Sequence, residues 1–244
     1  MEKISIITIC YNCKNDLRMT IESVISQNYS HYEYIVIDGG STDGTLDIIH
    51  EYQDHIDINI SEHDEGIYDA INKGILHATG EWILCLNAGD RLLDKNTLSN
   101  IFTRQGLHPY HVIYSDCIIE RKDGTTFRAI MDRKKGVLHH QNVIYRKSLH
   151  QQYGMYHVTK PYIVSDLIFL LSINEIFFLK IETPIAISKD GGISCALWSG
   201  EQAIGLRIAY GLEHMPIGFI NYIKLRVNIW LHNILRNKRW GIYE

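Results

Sequence analysis

Two apolar patterns alternate along the first hundred residues. Residues 4–10 are a largely apolar run and 34–37 and 82–86 continuous apolar ones, each stopping at a polar turn, the pattern of strands buried on both faces of a parallel sheet. Residues 56–61 read as a further strand between the second and the last of these. The intervening segments read as helices over 15–27, 44–53 and 66–79. In the first, Leu17, Ile21, Val24 and Ile25 recur at helical spacing. In the third, Ile67, Ala70, Ile71, Gly74, Ile75 and Ala78 share one face, and Gly80 supplies a stop. Strand and helix in strict alternation predict an α/β fold, a mostly parallel central sheet flanked by helices with right-handed crossovers.

The pattern then changes. Residues 112–120, 125–130 and 142–146 read as strands, with Asp123-Gly124 as the hairpin turn between the first two. Residues 164–173 read as a buried helix, and 177–180 and 185–188 as short strands. With no linker, repeat or low-complexity stretch, residues 1–215 are expected to form one domain, with a nucleotide half over 1–105 and an acceptor half over 106–215. Residues 216–244 form a tail with an apolar stripe of Ile220, Ile223, Val227, Trp230 or Leu231, and Ile234. That tail carries Lys224, Arg226, Arg236, Lys238 and Arg239 against the single acid Glu244. A basic amphipathic helix can lie on an anionic membrane surface, or pack on the catalytic domain with its charges solvated.

Composition narrows the class. The chain has 244 residues, 45% hydrophobic and 21% charged, and a net charge of −4, which argues against general nucleic-acid binding. Its five cysteines are odd in number and scattered, which suits a reducing cytoplasm. Cys10 and Cys13 have CxxC spacing, but no second pair completes a zinc site. The N-terminus opens on a strand rather than a signal peptide, and no stretch is apolar and long enough to span a bilayer. The expected location is cytoplasmic, with peripheral contact at the inner face of the plasma membrane through the tail.

Three predicted strands end in polar turns: Thr8-Ile9-Cys10-Tyr11-Asn12, Asp38-Gly39-Gly40 and Asn87-Ala88-Gly89-Asp90. One acid after a strand is usually a turn residue, but three such ends on one edge of a parallel sheet predict a shared nucleotide pocket. Ser41 or Thr42 can cap the helix that follows Gly40, and Asp43 favours its positive end. Other nucleotide sites are excluded. GxGxxG is absent after the first strand, the glycine spacing from Gly39 to Gly44 is followed by Thr45 rather than lysine, and no GxSxG occurs. Tyr11-Asn12-Cys13-Lys14 is not the glycine-rich basic loop of a nucleotidyltransferase.

In succession, these runs resemble glycosyltransferase family 2, the inverting nucleotide-sugar transferases of GT-A (Rossmann-like) fold. The matching pieces, in the family's order, are Ser5-Ile6-Ile7-Thr8-Ile9-Cys10-Tyr11-Asn12, Ile21-Glu22-Ser23-Val24-Ile25-Ser26-Gln27, the run from Asp38 to Thr45, Asp64-Glu65-Gly66-Ile67-Tyr68-Asp69-Ala70-Ile71-Asn72-Lys73-Gly74-Ile75, and Ala78-Thr79-Gly80-Glu81-Trp82-Ile83 leading into Leu86-Asn87-Ala88-Gly89-Asp90. The segments around Tyr68 and Asn87 are most similar to bacterial enzymes that build colanic acid, O-antigen and capsule. His140-Gln141 resembles the family's acceptor-side turn, Ser165-Asp166-Leu167 the place of its catalytic acid, and Asp190-Gly191-Gly192-Ile193-Ser194 its closing glycine-rich segment.

The resemblance implies a donor pocket lined by Thr8, Tyr11, Asn12, Asp38, Asp69, Lys73, Asn87, Ala88 and Gly89. Tyr11 would stack on the base, and Asp38 would bond the base or ribose. Lys73 would add positive potential or be a solvated helix residue. Asp64 and Asp69 would line the sugar pocket, or cap and flank the helix over 66–79. Asp166 would be the general base, its carboxyl raised by the apolar neighbours Tyr162, Ile163, Val164, Leu167, Ile168 and Phe169, or else a helix N-cap. His140 and Gln141 would orient the acceptor, and His139 receives no role. Two departures stand out. Gly39 replaces the usual second acid of the first acidic turn, and Asn87 and Gly89 replace both acids of the Asp-x-Asp metal signature, leaving Asp90 to hold Mg²⁺ or Mn²⁺ with donor phosphates and water.

The function implied is transfer of a hexose or N-acetylhexosamine, from a UDP-sugar, onto a lipid-linked saccharide in bacterial surface polysaccharide biosynthesis. The thinned acidic signature also admits a catalytically silent nucleotide-sugar-binding or assembly subunit.

Overall fold

The computed structural model describes residues 2–158, 164–191 and 197–238, with backbone alone at 197–199 and 228–238. The first half follows the predicted order: β1 (Ile4–Cys10), α1 (Lys14–Ile25), β2 (Tyr32–Asp38), α2 (Thr45–Glu51), β3 (Ile58–Ser61), α3 (Ile67–His77) and β4 (Trp82–Cys85). Then come β5 (Arg91–Leu92), α4 (Thr97–Phe102), β6 (Val112–Ser115), β7 (Cys117–Glu120), β8 (Thr126–Ala129), β9 (Val143–Arg146), α5 (Leu149–Tyr153) and α6 (Ser165–Ser172). The chain closes with β10 (Phe178–Ile181), β11 (Ala186–Lys189), α7 (Leu197–Ala209) and α8 (Met215–Lys238).

A seven-stranded sheet runs in the order β10-β6-β9-β4-β1-β2-β3. β3, β2, β1 and β4 are parallel, and β9 is antiparallel to both β4 and β6. β10 is parallel to β6, so β9 alone runs against the other six strands and the sheet is mostly parallel, as expected. Alternation along its strands sorts side chains into two layers. Ile4, Ile6, Tyr34, Val36, Trp82 and Leu84 pack with Leu17, Ile21 and Val24 of α1. Ile7, Ile9, Ile35, Ile37 and Ile83 pack with Ile71 and Ile75 of α3 and Phe169 of α6 on the other face. Both faces are covered, which is why these strands read as apolar runs.

The second half departs from the prediction most at one strand. Residues 112–120 are two strands, not one: β6 joins the large sheet and β7 a four-stranded sheet, β5-β11-β7-β8. The break falls at Ser115-Asp116. Asp116 is buried and accepts from the Met131 amide at 3.0 Å, Arg128 Nε at 2.9 Å and Lys180 Nζ at 2.7 Å. Ser115 Oγ accepts the Ile185 amide at 2.9 Å. These polar anchors turn the chain from one sheet to the other. The Asp123-Gly124 hairpin forms between β7 and β8 as predicted, with Gly124 at φ +80°. The sequence pattern missed β5, α4, α5 and α7; the first three have only two, six and five residues.

Glu33 locks the edge of the sheet remote from the polar turns. It is 5% exposed and takes hydrogen bonds from Ser5, from Lys3 Nζ at 2.9 Å, from the Thr79 hydroxyl at 2.6 Å and from the Gly80 amide at 3.1 Å. Burial pushes this carboxyl up, but Ser5, Thr79 and Lys3 outweigh it and bring it down to about 2. A depressed carboxyl contributes stability above its unfolded value, and that contribution is lost as pH falls toward 2. Glu33→Ala strips one partner from a buried network and is expected to cost about 3 kcal/mol in urea unfolding at neutral pH. The deficit relative to wild type should shrink below pH 4, and a variant equal to wild type at neutral pH would show that Glu33 is no anchor.

Candidate donor and acceptor site

The register sets the site. Cys10 lies beside Asp38, and Ile7 beside Cys85, so the turns after β1, β2 and β4 emerge on one edge. Asn12 joins the first two: its amide donates to Ser41 Oγ at 2.8 Å, and its Oδ1 accepts from the Thr42 amide at 2.8 Å. Asn12 holds φ +47°, a left-handed conformation that asparagine tolerates. Neither Ser41 nor Thr42 caps α2. The cap position is Gly44, at φ +93°, and the Ser41 hydroxyl is engaged by Asp38. Asp43 holds the loop instead, accepting from the Lys14 amide at 3.2 Å and the Thr45 amide at 3.0 Å.

Two residues expected to touch the donor turn inward. Thr8 is fully buried and accepts from Tyr34 Oη at 3.0 Å. Asp38 is also fully buried; its carboxylate receives Ser41 Oγ, the Ser41 amide at 3.0 Å, the Gly40 amide at 3.2 Å and Ser61 Oγ at 2.7 Å. With its lone pairs taken, Asp38 shapes the turn rather than facing the pocket. Tyr11 does face out, at 64% exposure. Its ring flanks Gly39, where an added Cβ would come 3.3 Å from Tyr11 Cδ2 and 3.0 Å from Asp64 Oδ2. A carboxylate thus borders the position from which the usual second acid is missing.

Lys73 is neither free nor simply solvated. Its Nζ lies 2.6 Å from Asp64, 2.9 Å from Glu62 and 3.2 Å from Asp69, and donates to the His63 carbonyl at 3.1 Å. Burial pulls its pKa down, but the three carboxylates raise it beyond the ordinary lysine range. The cluster as a whole is anionic, so the positive potential expected of Lys73 is offset. Asp69 also accepts the Glu65 amide at 3.0 Å at the start of α3.

The third turn is held by α1. Thr20 Oγ1 accepts the Gly89 amide at 2.9 Å and donates to the Asp90 carbonyl at 2.6 Å, while the Ala88 amide donates to Ile9. Gly89 has φ +100°, which explains glycine where the family has an acid. Asp90 is 6% exposed and accepts the Lys189 amide at 3.0 Å. Burial pushes its carboxyl up to about 6, against the opposing pull of the Lys189 amide, His140 and Gln141.

The acceptor-side residues close on this turn. His140 Nε2 lies 3.2 Å from Asn87 Nδ2, and His140 Nδ1 lies 3.2 Å from Asp166 Oδ2. Tyr68 of α3 donates to Asp166 Oδ1 at 2.6 Å. Asp166 lies in the first turn of α6 and does not cap it; Val164 holds that position. The expected rise in its pKa is reversed. Burial does push the carboxyl up, but His140 and Tyr68 outweigh it and hold it below the usual range. Of its expected neighbours, Tyr162 and Ile163 lie outside the described residues, as do Gly192, Ile193 and Ser194 of the glycine-rich run.

Sequence reasoning gave no role to Tyr68, Thr20 or Lys189. Tyr68 stood within a quoted run, whereas nothing local marks Thr20 or Lys189. Among the described residues, buried polar atoms without a partner include Asn87 Oδ1, His139 Nδ1, Gln141 Oε1 and Asn142 Nδ2. These four atoms lie along residues 139–142 and at Asn87, leaving hydrogen-bonding capacity there for water or a polar ligand. No group of three or more His, Cys, Asp or Glu able to hold a metal occurs among the described residues. Asp90 is a hard oxygen donor that fits Mg²⁺ or Mn²⁺ only as one ligand among phosphate and water oxygens.

The family model described as glycosyl transferase family 2 matches residues 5–163. A PGL/p-HBAD biosynthesis glycosyltransferase of Mycobacterium tuberculosis is 34% identical over 165 residues, 63% of this chain and 63% of that protein. The poly-beta-1,6-N-acetyl-D-glucosamine synthase of Staphylococcus epidermidis is 36% identical over 96 residues, 38% of this chain and 23% of that protein. S. aureus TarS 1-349 in complex with UDP-GlcNAc superposes with a TM-score of 0.69 at 18% identity, covering 85% of this chain and 66% of that one. The mannosyltransferase PcManGT of Pyrobaculum calidifontis, in complex with GDP-Man and Mn²⁺, superposes with a TM-score of 0.64 at 15% identity, covering 92% and 69%. The expected GT-A fold is thereby shown, and the match spans less than two thirds of the length of the mycobacterial relative.

A carboxyl raised to about 6 in the fold carries a stability contribution that is lost as pH rises through 6. Ionised Asp90 is then a cost of roughly 3 kcal/mol at neutral pH. Asp90→Asn retains an acceptor for the Lys189 amide and removes that charge. It is expected to raise the melting temperature at pH 7.5 by several degrees and to have little effect near pH 4. A variant that melts lower at pH 7.5 would show that the charge is compensated in the apo fold.

Proposed function

The chain belongs to glycosyl transferase family 2, and we propose that it transfers a sugar, with inversion, from a nucleoside diphosphate sugar to a saccharide hydroxyl. The carrying observation is the cluster of unpaired polar atoms at Asn87, His139, Gln141 and Asn142, where the edge of the parallel strands meets the acceptor-side turn. Tyr11, Gly39 and Asp64 border the base, with Asn12 and Asp38 holding the two turns beneath it. Asn87, Ala88 and Gly89 follow the ribose and diphosphate, and Asp69 and Lys73 close the wall from α3. His140 and Gln141 receive the acceptor, and Asp166, beside His140 and Tyr68, is the general base. A divalent cation held by Asp90 and the diphosphate would neutralise charge on the leaving group. With Lys73 already shared among three carboxylates, such neutralisation has to come from elsewhere.

A UDP-hexose or UDP-N-acetylhexosamine donor is supported by the UDP-GlcNAc complex of the TarS fold relative and by the N-acetylglucosamine polymer named for the staphylococcal one. A lipid-linked acceptor at the inner face of a bacterial membrane is supported by α8, and a saccharide acceptor by the poly-beta-1,6-N-acetyl-D-glucosamine named for the staphylococcal relative. That helix packs on α7, with Gly218 against Ile208, and leaves Phe219, Ile220, Ile223 and Val227 between 46% and 62% exposed. Lys224 and Arg226 flank this face, Arg226 reaching Glu201 at 3.3 Å. The side chains of Arg236 and Lys238, and all of Arg239 and Glu244, lie outside the described residues. No helix among the described residues is long and apolar enough to cross a membrane.

Hydrolysis of UDP-, GDP- and dTDP-sugars, with and without Mn²⁺, tests the activity. The wild type should release nucleoside diphosphate from one donor class, and Asp90→Ala should lower that rate at least ~100-fold. Failure of the wild type across donors and saccharide acceptors would leave only a binding role. For the tail, Phe219→Asp combined with Ile223→Asp should weaken binding to phosphatidylglycerol vesicles by about tenfold or more while donor hydrolysis persists. Unchanged vesicle binding would assign α8 to packing alone.

A further inference from the structure

Cys10 and Cys13 flank the turn that carries Tyr11, and the proposed transfer uses neither thiol. Cys10 ends β1, and Cys13 holds the cap position before α1. The chain bends at Tyr11 and Asn12 between them, Asn12 in the left-handed conformation. Both cysteines thereby reach the layer between the sheet and α1: Cys10 is part of that core, and Cys13 packs against it. Cys10 Sγ faces the Ile37 carbonyl at 3.5 Å and Asp38 Oδ1 at 3.7 Å. Cys10 is buried, whereas Cys13 is half-buried and can be reached from solvent. The two thiols act on each other directly. The Cys10 hydrogen bond and the Tyr11 backbone lower the Cys13 thiol below the ordinary cysteine range, outweighing burial and the charges of Asp16 and Asp43. The Cys13 contact and burial in turn push the Cys10 thiol up. A cysteine at the head of a twelve-residue helix is also where a thiolate is favoured. Cys85 and Cys117 are buried apart on β4 and β7, and burial raises both thiols. Cys195 lies outside the described residues.

We propose that Cys10 and Cys13 form a reversible thiol–disulfide pair, oxidised by a low-molecular-weight disulfide such as glutathione disulfide, and that closing the bond displaces Tyr11 and weakens nucleotide binding. The effect on binding rests on the proposed transferase reading, in which Tyr11 borders the base. In the first step the Cys13 thiolate attacks one sulfur of the oxidant. An S–S bond forms at Cys13, the oxidant's S–S bond breaks, and one glutathione leaves with its electron pair and the Cys13 proton. Cys10 then attacks the Cys13 sulfur within the same turn, and the second glutathione leaves with the Cys10 proton. The protein loses two electrons and two protons, and the oxidant gains them as two thiols; a dithiol reductant reverses both steps. Joining the sulfurs brings them closer than two thiols can stand and draws the head of α1 toward β1. That movement pulls on the Cys13 amide's 2.9 Å bond to Thr45 Oγ1 and on the two 2.8 Å bonds from Asn12 to Ser41 and Thr42. Those bonds hold the first turn against the second, so Tyr11 and the Gly39 wall it flanks move apart.

Trypsin cleavage after Lys3 and Lys14 leaves both cysteines in one peptide, residues 4–14. After the full chain is treated with glutathione disulfide and its free thiols are alkylated, mass spectrometry should find this peptide unalkylated and two hydrogens lighter. Dithiothreitol should restore the two thiols. Cys10→Ser should stop at a glutathione mixed disulfide on Cys13, and Cys13→Ser should leave Cys10 unmodified. Two alkylated cysteines in the 4–14 peptide of the treated wild type, or glutathione held on Cys10 instead of Cys13, would overturn the pair. Calorimetric titration with UDP, GDP and dTDP then compares the reduced and oxidised chains. Loss of the base's stacking on Tyr11 should raise Kd by about tenfold or more for whichever nucleotide the reduced chain binds. The Cys13→Ser chain should bind that nucleotide equally before and after treatment. An unchanged Kd in the wild type with its 4–14 peptide fully disulfide-bonded would overturn the effect on binding. If no nucleotide binds the reduced chain, the transferase reading fails, while the peptide mass still decides whether the pair closes.

Discussion

Parallel pairing of β1 with β2 on one side and β4 on the other is the constraint on which the rest of the structure depends. A one-residue slip would exchange the two faces of a strand, and here both faces are packed, Ile6 and Val36 into one layer and Ile7 and Ile35 into the other. The register is therefore fixed by burial, and the positions of the polar turns follow from it. Tyr11, Gly39 and Asn87, remote in sequence, reach one edge because the apolar runs before them end there. Glu33 pins the remote edge by tying β2 to β1 and to the turn before β4.

At that edge, three acids meet the cost of burial in three ways. Asp38 accepts from neighbouring serines and turn amides and becomes part of the scaffold. Asp90 has few donors, and its carboxyl rises to about 6. A group so placed gains most from a cation, which is the physical reason to regard it as a metal ligand even without the usual second acid. Asp166 is paired with His140 and Tyr68 and stays ionised. These differences come from the number and type of donors around each carboxylate, since all three are largely withdrawn from water.

Much of this was legible in the sequence. Strand β1 has the predicted bounds, and the other strands and helices through β4 match within a few residues, because apolar periodicity and burial coincide there. The division at Ser115-Asp116 was not legible, because a polar pair within an apolar run does not reveal that the strand changes sheet. The candidate site divides in the same way. Which turns would meet could be read from strand ends. Which side chains would face inward could not: Thr8 and Asp38 lie on the predicted edge yet point into the protein. The reversal at Asp166 has the same origin, since its apolar neighbours in sequence argued for a raised pKa, while the partners that decide it come from residues 68 and 140.

Three strand ends are proposed to form one nucleotide-sugar pocket. Titration of the ¹⁵N-labelled chain with UDP, GDP and dTDP, following the backbone amides of Tyr11, Gly39 and Asn87, tests it most directly. One nucleotide is expected to move all three resonances with a common midpoint. The shared pocket would be contradicted if none of the nucleotides moved them, or if one turn responded while the other two stayed fixed.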